Sequence, residues 1–447
     1  MDKMTLAELT RIIEDSEAAE LHDYIEEENA IDIAVISEEL DDRNLWKLCS
    51  LLDEEDLAHV IEQASDDQRV RMAGSIPNDY LIEVFSYMQK DDIADLIGDM
   101  KVVQRKALIN QMMEDDRKVI RTLLKYPEDS AGGIMTTAYI ALDENLTVTQ
   151  GMTRIRQIAN NSEVLETIYV VNHSQQLVGV ANLRTFLTST KDTLLKDAMK
   201  PNPIYVHPED DQEVAAKLVS KYDLTALPVV NNRGSILGII TVDDIIDVIV
   251  EEYNEDILEL GGVSSEENLN TTLLESIKLR LPWLLINLAT AFVASLTVKA
   301  FEGTIAKVVA LSATMTIVTG MGGNSGSQTQ SILVRQLSQD DVSLKKYSKA
   351  FFKEILLGII NGAINGLITG VIVALIYRNL YLGVIILIAM IGNMVVAGIF
   401  GFLVPVALKR LGADPAVASS IFLTTATDVL GFFIFLGLAQ LFLPLLL

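Results

Sequence analysis

Asp428 stands inside an apolar stretch, within Thr424-Thr425-Ala426-Thr427-Asp428-Val429-Leu430, and a continuous apolar segment follows it. An acidic side chain at membrane depth costs on the order of 2.5–3.5 kcal/mol by insertion scales, so it usually faces a polar path rather than lipid. No Lys or Arg stands deep in any apolar run as an obvious partner. Two readings compete: a carboxylate on an ion route, or an Asp that caps a broken helix or pairs with a neighbouring span.

A second constellation is Gly320-Met321-Gly322-Gly323-Asn324-Ser325-Gly326-Ser327-Gln328. Its four glycines and small polar residues can loosen a helix, and irregular backbone at membrane depth is tolerated where it is buried in protein or lines a watery cavity. The alternative is a tight helix–helix contact. Asn361-Gly362, Asn365-Gly366 and Asn393 recur at similar depth and read as packing.

A third set lies ahead of the apolar part. Asp244, Asp247, Glu251, Glu255 and Glu259 step by three or four residues, so five carboxylates line one helical stripe, with Asp256 beside them. Like charges at that spacing each cost a few tenths of a kcal/mol. A solvated acidic face would normally intersperse basic residues, yet no Lys or Arg occurs between Arg233 and Lys278. Asp91, Asp95 and Asp99 share a face of an earlier helix. Both sets read as cation-binding surfaces, against the plainer reading of a solvated face.

These residue types select a hard cation. Mg²⁺ dehydrates reluctantly and takes oxygen ligands, so carboxylates with carbonyls hold it through its waters. All four histidines (His22, His59, His173, His207) and the lone Cys49 precede the apolar part, which disfavours a zinc or copper route through it. One Asp makes a poor site, so a symmetric homodimer bringing two Asp428 side chains together is expected.

The positioning elements follow from composition. Residues 1–130 carry 33 Asp and Glu against 14 Lys and Arg, residues 131–270 carry 21 against 9, and residues 271–447 carry 7 against 12. The acid belongs to a soluble half, which repels nucleic acid and attracts cations. Cys49 alone permits no internal disulfide and fits a reducing compartment. The acidic start, Met1 to Glu28, lacks a basic region followed by a short apolar core, so no secretory signal is expected.

Beyond Arg280 five apolar runs are each long enough to span a bilayer: Leu281–Ala300, Ile305–Val334, Ile355–Ile376, Leu382–Leu408 and Ala416–Leu447. Lys278, Arg280, Arg335, Lys345, Lys346, Lys349, Lys353, Lys409 and Arg410 fall on one side, against Lys299, Lys307 and Arg378 on the other. The basic excess puts the N-terminal domains in the cytoplasm and Leu447 outside.

Between these halves the chain repeats. Tyr169–Asn182 matches Pro228–Thr241 at an offset of 59, with Val170, Val171, Asn172 and Gly179 falling on Val229, Val230, Asn231 and Gly238. Two strands, a Gly-containing turn and a helix per copy make a duplicated α/β module that resembles a tandem CBS pair. CBS pairs often bind adenosine nucleotides, which implies ATP contacts at Thr241 and Asp244. The first copy has Asn182 and Thr185 there, half the pattern. Residues 1–130 read as short helices, Leu51–Glu62, Asp79–Met88, Asp91–Asp99, Val102–Met113 and Asp116–Leu124 among them, forming a small superhelix.

The expected organisation is an acidic helical N-domain (1–130), two CBS modules (131–196 and 197–250), an acidic connecting helix and linker (244–267), and a five-helix transmembrane domain (271–447). In this order, with Gly322-Gly323-Asn324-x-Gly326-x-Gln328, Asp414-Pro415-Ala416 leading to Thr427-Asp428-Val429, and Ser130-Ala-Gly-Gly-Ile-Met-Thr136, the chain resembles the MgtE family of Mg²⁺ channels and transporters. The resemblance implies a homodimeric pore lined by the second and fifth spans. Asp428 matches the acidic filter residue, with the Thr424 carbonyl one turn earlier, Ser420 at the cytoplasmic rim, and Gly322, Gly323, Asn324 and Gln328 beside the path. It further implies that Mg²⁺ bound at Asp91, Asp95, Asp244, Asp247, Glu251, Glu255, Asp256 and Glu259 holds the pore shut, with Glu259 meeting the basic cytoplasmic face of the spans. A Na⁺- or H⁺-coupled transporter or exporter, or a broader Co²⁺ and Mn²⁺ carrier, would use the same Asp. An intramembrane metalloprotease is excluded by the absence of His-Glu-x-x-His.

Overall fold

Many of the early acids start helices. The Asp41 carboxylate accepts from the Asn44 amide at 2.8 Å and Asp53 from the Asp56 amide at 2.9 Å, each satisfying a first-turn N–H. The computed structural model describes residues 4–15, 18–27, 30–159, 162, 164–264, 267, 271–339, 344–417 and 419–447; the side chains of Lys345 and Lys346 lie outside this set. Two units are distinguished, Met1–Ile249 and Val250–Leu447.

The first unit begins with helices α1 (Leu6–Asp15), α2 (Ala18–Glu27), α3 (Ala30–Ser37), α4 (Asp42–Leu51), α5 (Glu54–Glu62), α6 (Asp66–Ser75), α7 (Asn78–Val84), α8 (Lys90–Asp99), α9 (Val102–Gln111) and α10 (Glu114–Leu123). None is long enough to bury a face alone. From α3 onward each packs on the helix two further along, α3 on α5 through α8 on α10, which is the stacking of a superhelix. Leu45, Leu57, Ile61, Leu81, Leu96 and Ile97 line one continuous core.

The duplicated module follows, with strands β1 (Ile140–Asp143), β2 (Thr167–Val171), β3 (Leu177–Asn182), β4 (Lys200–Pro201), β5 (Ala226–Val230) and β6 (Ile236–Thr241). Strands β1–β4 form one sheet in that order, with β1 parallel to β2 and the other pairs antiparallel; β5 pairs antiparallel with β6. The 59-residue offset is kept in detail. A register shift at Val170/Val171 recurs at Val229/Val230. The left-handed turn position is Gly234 in one copy and Gln175 in the other, with φ of 80° and 60°. Helices α11 (Val148–Ile158), α12 (Leu183–Thr188), α13 (Leu195–Ala198) and α14 (Gln212–Tyr222) accompany the sheets. The copies diverge after their last strands: α12 has 6 residues, whereas its counterpart α15 (Val242–Leu260) runs for 19. The acidic connecting helix is thus the last helix of the second copy, prolonged.

The second unit contains α16 (Leu273–Ala300), α17 (Glu302–Lys307), α18 (Ala310–Gln339), α19 (Leu344–Tyr377), α20 (Leu380–Arg410), α21 (Ser419–Leu441) and α22 (Leu443–Leu446). Among the described residues four helices are long and apolar enough to cross a membrane: α16, α20, and the Tyr347–Tyr377 and Ser420–Leu441 parts of α19 and α21. The expected span at Ile305–Val334 differs. Ile305 falls in the short α17, and α18, although 30 residues long, is diluted by glycine, serine, threonine and amides below that hydropathy.

Helix α20 is central, packing on α18, α19 and α21. Gly358, Gly362, Gly366 and Gly370, four apart on α19, meet the α20 backbone; a Cβ built on Gly362 would lie 2.6 Å from the Ile391 Cα. Small residues at this spacing let two backbones approach closely. Gly362→Ala must therefore push the helices apart. We expect a loss of about 1–3 kcal/mol, read as a lower thermal midpoint in detergent, because the clash is with main chain and no rotamer change relieves it.

Candidate ion pathway and cation-sensing clusters

Asp428 lies within α21, one turn after Thr424, in a helix that is continuous across it. It is half-buried and makes no ion pair or side-chain hydrogen bond among the described residues. The helix is not broken at this point, so the residue does not act as a cap. The neighbouring threonines donate back to their own helix: Thr424 Oγ1 to the Ser420 carbonyl (2.9 Å), Thr425 Oγ1 to Ile421 (2.6 Å) and Thr427 Oγ1 to Leu423 (3.1 Å). The Thr427 hydroxyl also reaches the Thr424 carbonyl at 3.1 Å, so that oxygen is already partly engaged within the helix.

The glycine constellation is helical. Helix α18 runs unbroken through residues 320–328, contrary to the expectation of irregular backbone, because neighbours fill the space its missing side chains leave. A Cβ on Gly322 would collide with Asn393 Nδ2, and one on Gly326 would lie 2.5 Å from Leu423 Cδ1. Buried Asn393 on α20 donates to the Val318 carbonyl at 2.9 Å, locking α20 to α18. Gly323 sits 4.0 Å, by the same construction, from Thr427 Oγ1. The two marks that sequence reading kept apart are therefore packed together, Gly323 and Gly326 on the Thr427 and Leu423 face of α21. Asn324, Ser327, Gln328 and Thr424 are left exposed on this chain, and Ser420 half-buried.

In the first unit, carboxylates converge on α8. Asp91, Asp92 and Asp95 are half-buried, whereas Asp99 is exposed. Burial pushes Asp92 up to about 8, with Asp91 and Glu62 adding repulsion, and Asp95 up to about 7 despite the nearby Arg69 guanidinium. Asp91 is raised by burial too, and its Oδ1 is buried without a hydrogen-bond partner among the described residues. Asp244, at the start of α15, joins this group. Burial pushes it up to about 6, opposed by the Thr241 hydroxyl that donates to its Oδ2 at 2.6 Å, and Asp91 raises it further. Glu62 accepts from the Gln89 amide at 3.0 Å, and its carboxyl is raised, chiefly by burial. Sequence reading named Asp91, Asp95 and Asp244 and missed Asp92 and Glu62. Glu62 ends α5, and nothing in its spacing ties it to α8.

Further along α15, Asp247 and Glu251 are exposed and Glu255 and Asp256 half-buried. Among the described residues the charged groups acting most on Glu259 are acidic. Burial pushes it up to about 7, helped by Asp414, Glu255, Asp256 and Glu252, and its Oε2 is buried without a partner. Asp414 in turn holds the turn before α21, accepting from the Ala416 amide at 2.6 Å. Two carboxyl groups this close repel when both are charged.

The duplicated module encloses a cavity of about 720 Å³ lined by Tyr169, Asn182, Arg184, Thr185, Asp223 and Thr225 among others. Thr241 and Asp244, expected at a nucleotide, do not line it; they bond each other and turn toward α8. The cavity lies instead at Asn182 and Thr185, the copy whose motif departs from the pattern.

Comparison with known proteins identifies the domains. Residues 315–438 match the MgtE divalent cation transporter family, 28–129 the MgtE intracellular N domain and 195–251 the CBS domain. The chain is 30% identical to the magnesium transporter MgtE of Thermus thermophilus over 99% of both chains, and 28% identical to that of Bacillus subtilis over 96% of both. Its soluble part is similar to the crystal structure of the cytosolic domain of the Mg²⁺ channel MgtE in complex with ATP. That match has a TM-score of 0.52 at 30% identity and covers 54% of this chain and 99% of that one. The chain belongs to the MgtE family: it is a multi-pass membrane protein that transports Mg²⁺ and not an enzyme.

Proposed function

We propose that the chain works as a homodimeric Mg²⁺ channel of the cell membrane, with α18 and α21 lining the path and Asp428 as its selective oxygen donor. The observation that carries this reading is a half-buried carboxylate within a membrane helix, without an ion pair or hydrogen-bond partner among the described residues, beside the exposed Asn324, Gln328 and Thr424. Two Asp428 side chains related by a two-fold axis would hold a hydrated ion through its waters. The Thr424 carbonyl and Ser420 stand one and two turns before it. The exposed apolar face of α16 meets lipid. The N-terminal domains lie in the cytoplasm and Leu447 outside; nucleic acid is not a partner.

Gating follows from charge. At low Mg²⁺ the carboxylates on α8, the stripe Asp244, Asp247, Glu251, Glu255 and Asp256 on α15, and the Glu259–Asp414 pair repel. Mg²⁺ bound there offsets the repulsion and holds the pore shut. Each ion contributes only its differential affinity for the closed state, so several act together. Currents recorded across a bilayer test the reading. They should follow the Mg²⁺ gradient without Na⁺ or a pH difference, and fall as Mg²⁺ on the cytoplasmic face rises. A current requiring Na⁺ or H⁺ would replace the channel with a coupled transporter.

ATP occupies the cavity at Tyr169, Asn182, Arg184, Thr185, Asp223 and Thr225, whose volume suits a nucleotide. Arg184→Ala should weaken ATP binding by about tenfold or more, in line with loss of one charge-assisted contact. Thr241→Ala should leave it unchanged. Equilibrium binding of labelled ATP to the full chain reads both.

A further inference from the structure

His22 on α2 meets the start of α5. Its Nδ1 lies 2.7 Å from Asp56 Oδ2, and one ligand atom from each of His22, Asp53 and Asp56 lies within 4.8 Å of the others. Asp53 and Asp56 share the start of α5, and His22, about thirty residues earlier, is brought to them by the fold. Asp56 is 5% exposed, whereas His22 and Asp53 are open to solvent: one ligand is anchored in the core and two are reachable by an arriving ion. Asp53 is also held, because one of its carboxylate oxygens, Oδ1, caps α5 on the Asp56 amide. Burial disfavours the charged form of Asp56 and the neighbouring Asp53 adds to it, a cost that a bound divalent ion would relieve.

The donor set is mixed, one imidazole nitrogen and two carboxylate oxygens, unlike the all-oxygen clusters on α8 and α15. Imidazole suits first-row transition ions, whereas Mg²⁺ prefers oxygen and sheds its waters reluctantly. Metal–nitrogen and metal–oxygen distances of about 2.0–2.2 Å in a tetrahedron place adjacent ligand atoms about 3.4 Å apart. The observed 2.7 Å contact reaches this with a small opening when a metal replaces the shared proton. We propose that His22, Asp53 and Asp56 form a binding site for a divalent transition ion, with Zn²⁺ the best fit, distinct from the Mg²⁺-sensing carboxylates. An ion there would clasp α2 to α5 and make the N-domain respond to a class of cation other than the transported one.

The test uses full-length protein in detergent with Mg²⁺ in large excess, so that oxygen-only sites are filled, and titrates Zn²⁺ by calorimetry. One Zn²⁺ per chain should bind, and Zn²⁺ should raise the thermal midpoint. His22→Gln and Asp53→Asn, the second of which keeps the helix cap, should each weaken binding at least tenfold. Both should also abolish the Zn²⁺-induced rise while the metal-free midpoint stays close to that of the parent. Asp91→Asn should leave Zn²⁺ binding intact. The proposal is overturned if excess Mg²⁺ displaces the Zn²⁺, if both site variants bind like the parent, or if Asp91→Asn removes the ion. In each case His22 and Asp56 are an ion pair only.

Discussion

Asp428→Ala should abolish Mg²⁺ uptake into proteoliposomes, a drop of at least a hundredfold, while the protein still purifies at its normal oligomeric state and thermal midpoint. The expectation rests on the carboxylate having no protein partner among the described residues. Removing it breaks no ion pair, and α21 is continuous through the site, so folding should be untouched or slightly favoured. A pathway that loses its charged oxygen donor loses the electrostatic compensation an ion needs at membrane depth, which is worth several kcal/mol. Asp428→Asn should behave nearly as badly, because an amide keeps the shape but not the charge. Uptake unaltered in both variants would contradict the pore assignment.

The second large effect concerns closure. Combined Asp91→Asn, Asp92→Asn and Asp95→Asn should leave a pore that stays open at cytoplasmic Mg²⁺ concentrations that shut the parent. These half-buried carboxylates crowd one another and Asp244, with Arg69 as the basic group offsetting Asp92 and Asp95. Amides in their place bind Mg²⁺ poorly, so the ion loses the differential affinity by which it favours the closed state. The same cluster predicts a pH dependence. Asp92, Asp95 and Asp244 have folded values of about 8, 7 and 6, all above the ordinary 3.8. Between those values and 3.8 the folded state holds protons that the unfolded chain releases. Without Mg²⁺ the fold is therefore more stable at pH 6 than at pH 8, and loses stability as pH rises through the raised values. Protons and Mg²⁺ compete for the same oxygens, so the Mg²⁺ needed for half-closure should rise as pH falls from 8 to 6. Thermal unfolding in a chelator at the two pH values, and currents at matched pH, check both signs. A midpoint that rises with pH in the chelator would remove the cluster from the gating account.

Much of this molecule is legible without coordinates, for local reasons. Period-two runs and a repeated Val-Val-Asn strand end (Val170–Asn172 and Val229–Asn231) reveal the duplicated module, since its pairing is between neighbouring strands. A carboxylate in an apolar run advertises itself because lipid tolerates it so poorly. The α15 stripe is likewise local, a spacing along one helix.

What the sequence determined by itself is therefore what one segment carries alone: the acidic soluble half, the paired modules, the apolar helices, Asp428 and the carboxylate stripe. Tertiary structure decided which segments meet. It put Glu62 and Asp244 with α8, turned Glu259 toward Asp414, moved the cavity to Asn182 and Thr185, and made the glycine stretch of α18 a straight packing face against Leu423 and Asn393. Spacing encodes which residues share a face, but the partner of that face is set by packing many elements at once, and no local pattern records it.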